Sequence, residues 1–484
     1  MALGGEAPTT PMRRAKLTAL LTAAALLGAG AIGAAPAFAS HGETVFFEAP
    51  RDLLGVSATT QAATFKQLQS LGVHALRVVL YWRNVAPNPN HRQRPNFNQA
   101  NPAAYHWGAY DQLINRAVAL HWKLLLTVSG PVPRWATPHG EDVYTSPSTS
   151  DFALFMKAVG KRYGAKVKLF SIWNEPNQPG FLRPQYVHRQ LTSPAIYRGL
   201  FLAGYAGLKA SGNFSGMTVL MGETSPVGVQ SQGVPAPLAF LRATLCLNSS
   251  YRPVGHCAPL PADGYAQHPY ASSRGPFGSP PADDVTIGTL GRLVTALDRA
   301  AAAGAIRAGL PVYVTEFGVQ SFPNPYIGVP LAKQAEFDAL AEHIAWSNPR
   351  VASFSQYALR DDHPVGGRVV GSQSGLETYR GAQKPVYDGF RLPLVVTRSA
   401  GGVTFWGLVR PASAATTLTV QYSSNGGRSW HGLAGVHTDA RGAWAATGRF
   451  VPGRIWRVRW LAPGGRADTG APTRAYTPSG QLQS

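Results

Sequence analysis

Glu175 follows the apolar run Val167 to Trp173 within Trp173-Asn174-Glu175-Pro176, and Glu316 follows Pro311-Val312-Tyr313-Val314 within Thr315-Glu316-Phe317-Gly318. Each is an acid at the end of an apolar segment of strand length, and the two lie 141 positions apart. Two carboxyl groups facing each other can cleave a glycosidic bond, one protonating the leaving oxygen while the other attacks the anomeric carbon. Parallel β/α barrels carry catalytic groups at the C-terminal ends of their strands. The pair therefore implies a reaction and a scaffold together.

The scaffold is legible in the alternation of apolar runs with helix-like segments. Strand-like runs cover 44–47, 75–80, 123–128, 169–173, 218–221, 264–268, 312–315 and 353–357. Helix-like segments between them cover 60–70, 111–119, 150–163, 196–209, 238–245, 287–303 and 334–346. In 150–163, for example, Phe152, Phe155, Met156 and Val159 recur near helical spacing. Strand–helix alternation predicts parallel strands with crossover helices. Eight strands in about 350 residues suit a closed (β/α)8 TIM barrel better than an open sheet. Near residue 392 the pattern changes to short apolar runs at 403–409, 418–422, 443–446 and 455–460, with turns such as Ser424-Asn425-Gly426-Gly427. No helical period is visible there, which predicts a small all-β sandwich. The expected organisation is a secretory signal at 1–39, a barrel at 40–392 and a β-sandwich accessory domain at 393–484.

On these motifs residues 44–390 resemble a clan A retaining glycoside hydrolase. Trp173-Asn174-Glu175-Pro176-Asn177 resembles glycoside hydrolase family 39, and Thr315-Glu316-Phe317-Gly318 is similar to the cellulase family, family 5. The resemblance implies Glu175 as general acid and base and Glu316 as nucleophile. It implies that Asn174 binds the sugar 2-hydroxyl, that Arg77 pairs with Glu316, and that His268-Pro269-Tyr270 supplies a tyrosine to the nucleophile and a histidine to the neighbouring subsite. Where many clan members place a tryptophan on the eighth strand, this chain has Phe354-Ser355-Gln356-Tyr357. Tyr357 is then the expected sugar platform and Gln356 a hydroxyl ligand. Trp82, Trp135 and Phe317 also fall near strand ends and are candidates for stacking on sugar rings, with core packing as the alternative.

These readings converge on a secreted enzyme that cleaves a β-linked oligo- or polysaccharide by double displacement. A transglycosylase would use the same residues, and an inactive carbohydrate-binding barrel at the cell surface is the non-enzymatic alternative. No C-x-x-C or H-E-x-x-H spacing and no strand-then-helix phosphate loop occurs, so neither metal nor nucleotide cofactor is expected.

The remaining features concern compartment and partners. Arg13, Arg14 and Lys16 precede an apolar stretch from Leu17 to Ala31 and the A-x-A site Ala37-Phe38-Ala39, which predicts export and a mature start near Ser40, with Met12 an alternative first residue. No other segment is long and apolar enough for a membrane span. In an oxidising compartment Cys246 and Cys257, the two cysteines of the chain, have one possible pairing. Two glycosylation sequons, at Asn213 and Asn248, are present, but the bacterial look of the signal argues against their use. The net charge is +20, and +18 without residues 1–39. From Pro393 onward ten arginines face only Asp439 and Asp468. That excess fits an anionic cell-wall polymer as partner, or a solvated arginine-rich surface; no motif for nucleic acid is present.

Overall fold

The structure, a computed structural model, describes residues 33–34, 42–366 and 368–477. All of the expected signal except Gly33–Ala34 lies outside the described residues, including its cleavage site. Eight parallel strands close into a barrel: β1 Thr44–Glu48, β2 Ala75–Tyr81, β3 Lys123–Ser129, β4 Leu169–Ile172, β5 Thr218–Thr224, β6 Gly264–Gln267, β7 Val312–Val314 and β8 Val351–Tyr357. β8 closes on β1 with Ser353 opposite Thr44 and Tyr357 opposite Glu48. The helices that follow the strands are α1 Ala58–Ser70, α2 Gly108–Ala119, α3 Thr149–Tyr163, α4 Ser193–Lys209, α5 Pro237–Thr244, α6 Leu290–Ala302, α7 Leu331–Trp346 and α8 Pro385–Arg391. α8 is too short to show a helical period in sequence; Pro385 in its first turn fixes a helical φ there.

Strand alternation sorts the barrel into two layers. Phe46, Ala75, Leu125, Leu220 and Ala266 pack inside it with Leu169 and Tyr313. Their neighbours, such as Phe47, Leu76, Leu126 and Phe170, turn outward into a second core under the helices. Successive side chains on a strand face opposite ways, so the residue two positions beyond each inward apolar one also points inward, nearer the C-terminal mouth. Beyond Phe46 that residue is Glu48, beyond Ala75 it is Arg77, beyond Leu125 it is Thr127, and beyond Ala266 it is His268. The apolar layer thus carries a polar one.

α3 starts cleanly because the Ser148 side chain accepts from the Asp151 amide. α7 differs from the other helices in being buried on nearly all sides, Asp338 and Glu342 included. A helix covered all round lies inside the molecule, and here the C-terminal domain covers it. β9 Leu394–Ser399, β10 Gly402–Leu408, β11 Thr417–Ser423, β12 His431–His437, β13 Ala443–Gly448, β14 Ile455–Leu461, β15 Ala467–Thr469 and β16 Ala475–Tyr476 form two sheets. One has the order Gly33–Ala34, β13, β10, β9, β16, and the other β12, β11, β14, β15. Val396, Phe405, Val420, Trp456 and Val458 fill the space between them. The opposite face of the first sheet sets Val395, Trp406 and Leu408 against Ala339, Leu340 and Trp346 of α7.

Four of these strands were not expected from sequence: β9, β12, β15 and β16. His431–His437 is mostly exposed and carries Gly432 and Gly435, and β15 and β16 are three and two residues long, so no apolar alternation marks them. Cys246 and Cys257 are joined by a disulfide in the loop after α5. No helix of the described residues is long and apolar enough to cross a membrane. In the C-terminal domain Arg398, Arg454 and Arg457 lie over the rings of Phe450, Tyr422 and Trp430.

Candidate active site

Arg77 is the hub of the polar layer. Its Nη1 donates to Glu316 Oε2 at 2.8 Å and to Glu48 Oε2, and its Nη2 donates to Asn174 Oδ1 at 2.6 Å and Glu223 Oε2 at 2.7 Å. A buried guanidinium is costly unless paired, and this one, fully buried, meets three carboxyl groups. Charge-assisted bonds from one rigid fork fix the acids relative to one another.

Glu175 is presented by a tight turn after β4. Trp173 and Glu175 both have positive φ, 75° and 38°, which costs side-chain-bearing residues on the order of 1–3 kcal/mol each. Backbone bonds from neighbouring strands hold the turn. Trp173 N donates to Val128 O at 2.9 Å, Asn174 N to Ser129 Oγ at 3.0 Å and Glu175 N to Glu223 O at 3.0 Å. Glu175 Oε1 meets His268 Nδ1 at 3.0 Å. Burial pushes the Glu175 carboxyl above the ordinary carboxylate range, and Glu316 adds to that against the opposing pull of His268 and Arg77.

Glu316 follows β7. Tyr270 OH donates to its Oε1 at 2.7 Å, Arg77 holds its Oε2, and His268 Nδ1 lies 3.7 Å from Oε2. Burial alone would raise this carboxyl, but His268, Arg77 and the Tyr270 hydroxyl outweigh it and leave it below the ordinary range. His268 is fully buried between the two acids; burial disfavours its charge, and Glu316 with Glu175 turns the balance so that its pKa is raised. The same surroundings thus favour a proton on Glu175 and ionise Glu316. Carboxylate oxygens of Glu175 and Glu316 and a ring nitrogen of His268 all lie within 4.8 Å of one another. Such a triad has donor types that suit a metal ion, but both oxygens of Glu316 already accept from Arg77 and Tyr270, and the guanidinium occupies the cationic place.

The structure brings Arg77, Asn174, Glu175, His268, Tyr270 and Glu316 together. Tyr357, half-buried at the end of β8, feels the charges of Glu48 and Glu316 and flanks the same place. Arg77 and His268 are fully buried, so they act on the carboxyls and do not line an open subsite. Trp82, Trp135, Gln356 and Phe317, expected as sugar contacts, lie in the core instead. Trp82 is fully buried and stacks on Phe155 at 5.0 Å, and Trp135 packs edge-on to Trp82 while its Nε1 donates to Pro87 O. Both are core residues of the region around β2 and β3 and neither faces a sugar. Gln356 is likewise fully buried; its Nε2 donates to the carbonyls of Tyr357 and Ser374 and its Oε1 is closed off from solvent, so neither end meets a substrate hydroxyl. Phe317 is buried between Tyr270 and Phe354 and supports the tyrosine from behind.

Sequence reading missed Glu48, Glu223, Thr127 and Tyr81. Glu223 Oε1 accepts from Thr127 Oγ1 at 2.8 Å, and its backbone carbonyl holds the Glu175 amide. The rule that found Glu175, an acid closing an apolar run, also finds Glu48 after Phe46-Phe47 and Glu223 after Val219-Leu220-Met221-Gly222. β5 was expected to stop at Met221, since Gly222 reads as a break. Instead the pairing with β6 shifts register between Gly222 and Thr224, and Gly222 takes a φ of 106°. A Cβ on Gly222 would lie 2.5 Å from Ala266 O. That irregularity turns the Glu223 carboxylate inward.

No protein-family model matches the chain, and no curated protein does. Solved structures resemble it in fold. A family 39 glycoside hydrolase from the gut symbiont Bacteroides cellulosilyticus WH2 superposes with a TM-score of 0.50 at 16% identity, covering 85% of this chain and 82% of that one. A glucosidase from Croceicoccus marinus gives 0.51 at 10% identity, covering 84% and 93%. The closed parallel barrel is the feature these comparisons share with the chain.

Proposed function

We propose that the chain is a retaining glycoside hydrolase acting on a β-linked oligo- or polysaccharide. One observation carries this: carboxyl oxygens of Glu175 and Glu316, presented by β4 and β7 across the barrel mouth, approach within 4.8 Å, with their proton affinities driven in opposite directions. Retaining enzymes set the two carboxyls about 5–5.5 Å apart, whereas inverting enzymes leave about 6.5–9.5 Å for a water molecule. The close spacing supports double displacement.

In this reading Glu175 donates its proton to the glycosidic oxygen as that C–O bond breaks, and Glu316 forms a bond to the anomeric carbon. Glu175, now ionised, takes a proton from water, whose oxygen displaces Glu316 and restores both groups. Arg77 takes Asn174 Oδ1, so the Asn174 amide NH2 is the end left to donate to the sugar 2-hydroxyl. The solved glycosidases with the same barrel agree with this reading. Proton NMR of the first product released from an aryl β-glycoside tests it. The β-anomer should appear before mutarotation; initial α-anomer would overturn retention, and an added sugar acceptor carried into product would mark transglycosylation.

We also propose export through residues 1–39. The basic, apolar and A-x-A segments support it, as does the Cys246–Cys257 disulfide, a bond typical of oxidising compartments. N-terminal sequencing of protein from culture medium should read from near Ser40, and an intact amino-terminal segment would refute cleavage.

A further inference from the structure

Within the Arg77 cluster the side chains that reach toward solvent are the carboxyls. Glu175 and Glu316 are 17% and 16% exposed and Glu48 is 7% exposed, while Arg77 and His268 lie beneath them at 0%. The mechanism above gives Glu48 no task. Glu48 ends β1, with Oε2 held by Arg77. Its Oε1 has no hydrogen-bond partner among the described residues and is not sealed from solvent. Tyr357 lies opposite Glu48 in the β8–β1 pairing, Tyr81 ends β2 on the other side of β1, and both are half-buried and feel the Glu48 charge. Burial, with Glu316 adding its charge against Arg77, pushes the Glu48 carboxyl up to about 7. Arg51, an exposed cation near Tyr357, is spent on Asp362 and on the Arg360 carbonyl.

A partly desolvated carboxylate with one oxygen anchored and the other open is an acceptor waiting for a donor. We propose that Glu48 selects the sugar: its open oxygen accepts a hydrogen bond from a hydroxyl or ammonium group on the ring bound over Glu316, and the acidic mouth turns uronic acids away. The inference rests on the glycosidase reading and adds the substrate class, neutral or amino sugars. A hydroxyl and an ammonium make the same contact, and the two are separated by substrate. The anchoring of one oxygen by Arg77, which the same nitrogen shares with Glu316, and the free state of the other, not titration, carry the argument.

The experiment measures kcat/KM of wild type and Glu48→Gln on 4-nitrophenyl β-glycosides of xylose, glucose, glucosamine and glucuronic acid. Wild type should favour a neutral or amino sugar over the glucuronide by at least about 100-fold. Glu48→Gln should lose about 10–100-fold on the favoured sugar and narrow the gap to the glucuronide about tenfold or more, because its amide can donate to a carboxylate. A larger loss on the glucosaminide than on the glucoside identifies ammonium as the group read. If Glu48→Gln melts early, Glu48→Asp keeps the charge but withdraws the oxygen, and the same selective loss is expected. A wild type that prefers the glucuronide, or a loss equal on all four substrates, overturns the proposal and leaves Glu48 as a prop for Arg77. Calorimetric binding of xylobiose and of glucuronate reads the same selectivity without turnover. Neutral-sugar binding that depends on Glu48, in a chain that cleaves none of the four, would sink the glycosidase reading and uphold this one.

Discussion

Two arginines in this molecule each face a surplus of buried acids, and they solve the problem differently. Arg77 in the barrel mouth meets Glu48, Glu223 and Glu316 with Asn174 as a further acceptor. Arg410, from the C-terminal domain, reaches back to the barrel and donates through Nη2 to both oxygens of Glu342 on α7 at 2.6 and 2.7 Å, with Glu43 and Asp338 near enough to feel the same charges. Around Arg77 the carboxyls are divided among separate donors: Thr127 and Tyr270 take oxygens that the guanidinium does not. Around Arg410 both oxygens of Glu43 and Asp338 Oδ1 have no partner among the described residues. The first cluster holds its acids at fixed positions with one side open to a ligand. The second lies in the seam between domains, beside a cavity that Glu43, Trp346, Arg410 and Arg441 help to line, and its surplus acids are accommodated by holding protons. The comparison separates charge arranged for chemistry from charge retained for docking.

The largest expected effect breaks the first cluster at its reacting groups. Glu316→Gln should lower kcat by about 10^4-fold or more, since no covalent intermediate can form. Glu175→Ala should lose about 10^2–10^4-fold on an alkyl glycoside and far less on one with a nitrophenyl leaving group, which needs no acid in the first step. Initial rates on the two substrate types check this, and a leaving-group dependence that appears in the Glu316 variant instead would swap the roles.

A second pair of variants sets the arginines directly against each other. Arg77→Met and Arg410→Met each strand buried acids and should each cost about 3–5 kcal/mol of stability. Only Arg77→Met should also cut turnover per folded molecule, by about 100-fold, because Glu316 loses the partner that holds it ionised and in place. Urea unfolding combined with active-site titration separates the effects. An Arg410→Met chain that is stable but slow would mean that the seam is coupled to the site.

The two clusters also differ in how far the sequence announced them. The barrel alternation, Glu175, Glu316 and Arg77 were legible because each breaks a strong local pattern: an acid ending an apolar run, or a cation inside one. Glu48 obeys the same rule, but the resemblance assigned the first strand no role and drew attention elsewhere. Glu223 was hidden by Gly222, whose turn propensity masks a strand that continues through a register shift. Trp82 and Trp135 show the converse error. A tryptophan at a strand end is as well suited to the core as to a sugar, and only the packing of Phe152 and Phe155 around Trp82 decides it. The Arg410 seam gives no local signal, because Glu43, Asp338, Glu342 and Arg410 become neighbours only when the sheet docks on α7.

A third test uses pH. Turnover needs Glu316 ionised and Glu175 protonated. Activity should fall as acid protonates Glu316, at a pH below the ordinary carboxylate range, and should fall again as rising pH removes the proton from Glu175, above that range. The profile of kcat/KM should therefore be a bell wider than two unperturbed carboxyls would give. Replacing Tyr270 by Phe removes one donor to Glu316 and should move the acid limb upward while leaving the alkaline limb in place. A shift of both limbs together would show that the two carboxyls titrate as one unit.

The smallest and most specific effect concerns the seam. Burial, reinforced by the charge of Glu342, pushes Asp338 up to about 7, against a value near 4 in an unfolded chain. A carboxyl whose pKa rises on folding binds its proton more tightly in the folded state. Its contribution to stability is fully present below the unfolded value and is lost as pH climbs through the folded one. Above about pH 7 the fold must therefore bear an ionised acid with one unpartnered oxygen or keep the proton at a cost. Asp338→Asn removes the titration while keeping shape and hydrogen-bonding capacity. It should stabilise the protein by on the order of 1–3 kcal/mol at pH 8 and by close to nothing at pH 4, with kcat unchanged because Asp338 lies at the seam and takes no part in the Arg77 cluster. Thermal melts at the two pH values check this. A gain of equal size at both would assign the effect to packing and remove the proton from the account of the seam. A loss at pH 8 would show that the Asp338 charge is wanted there, and that the Arg410 cluster is balanced by charge in the same way as the site.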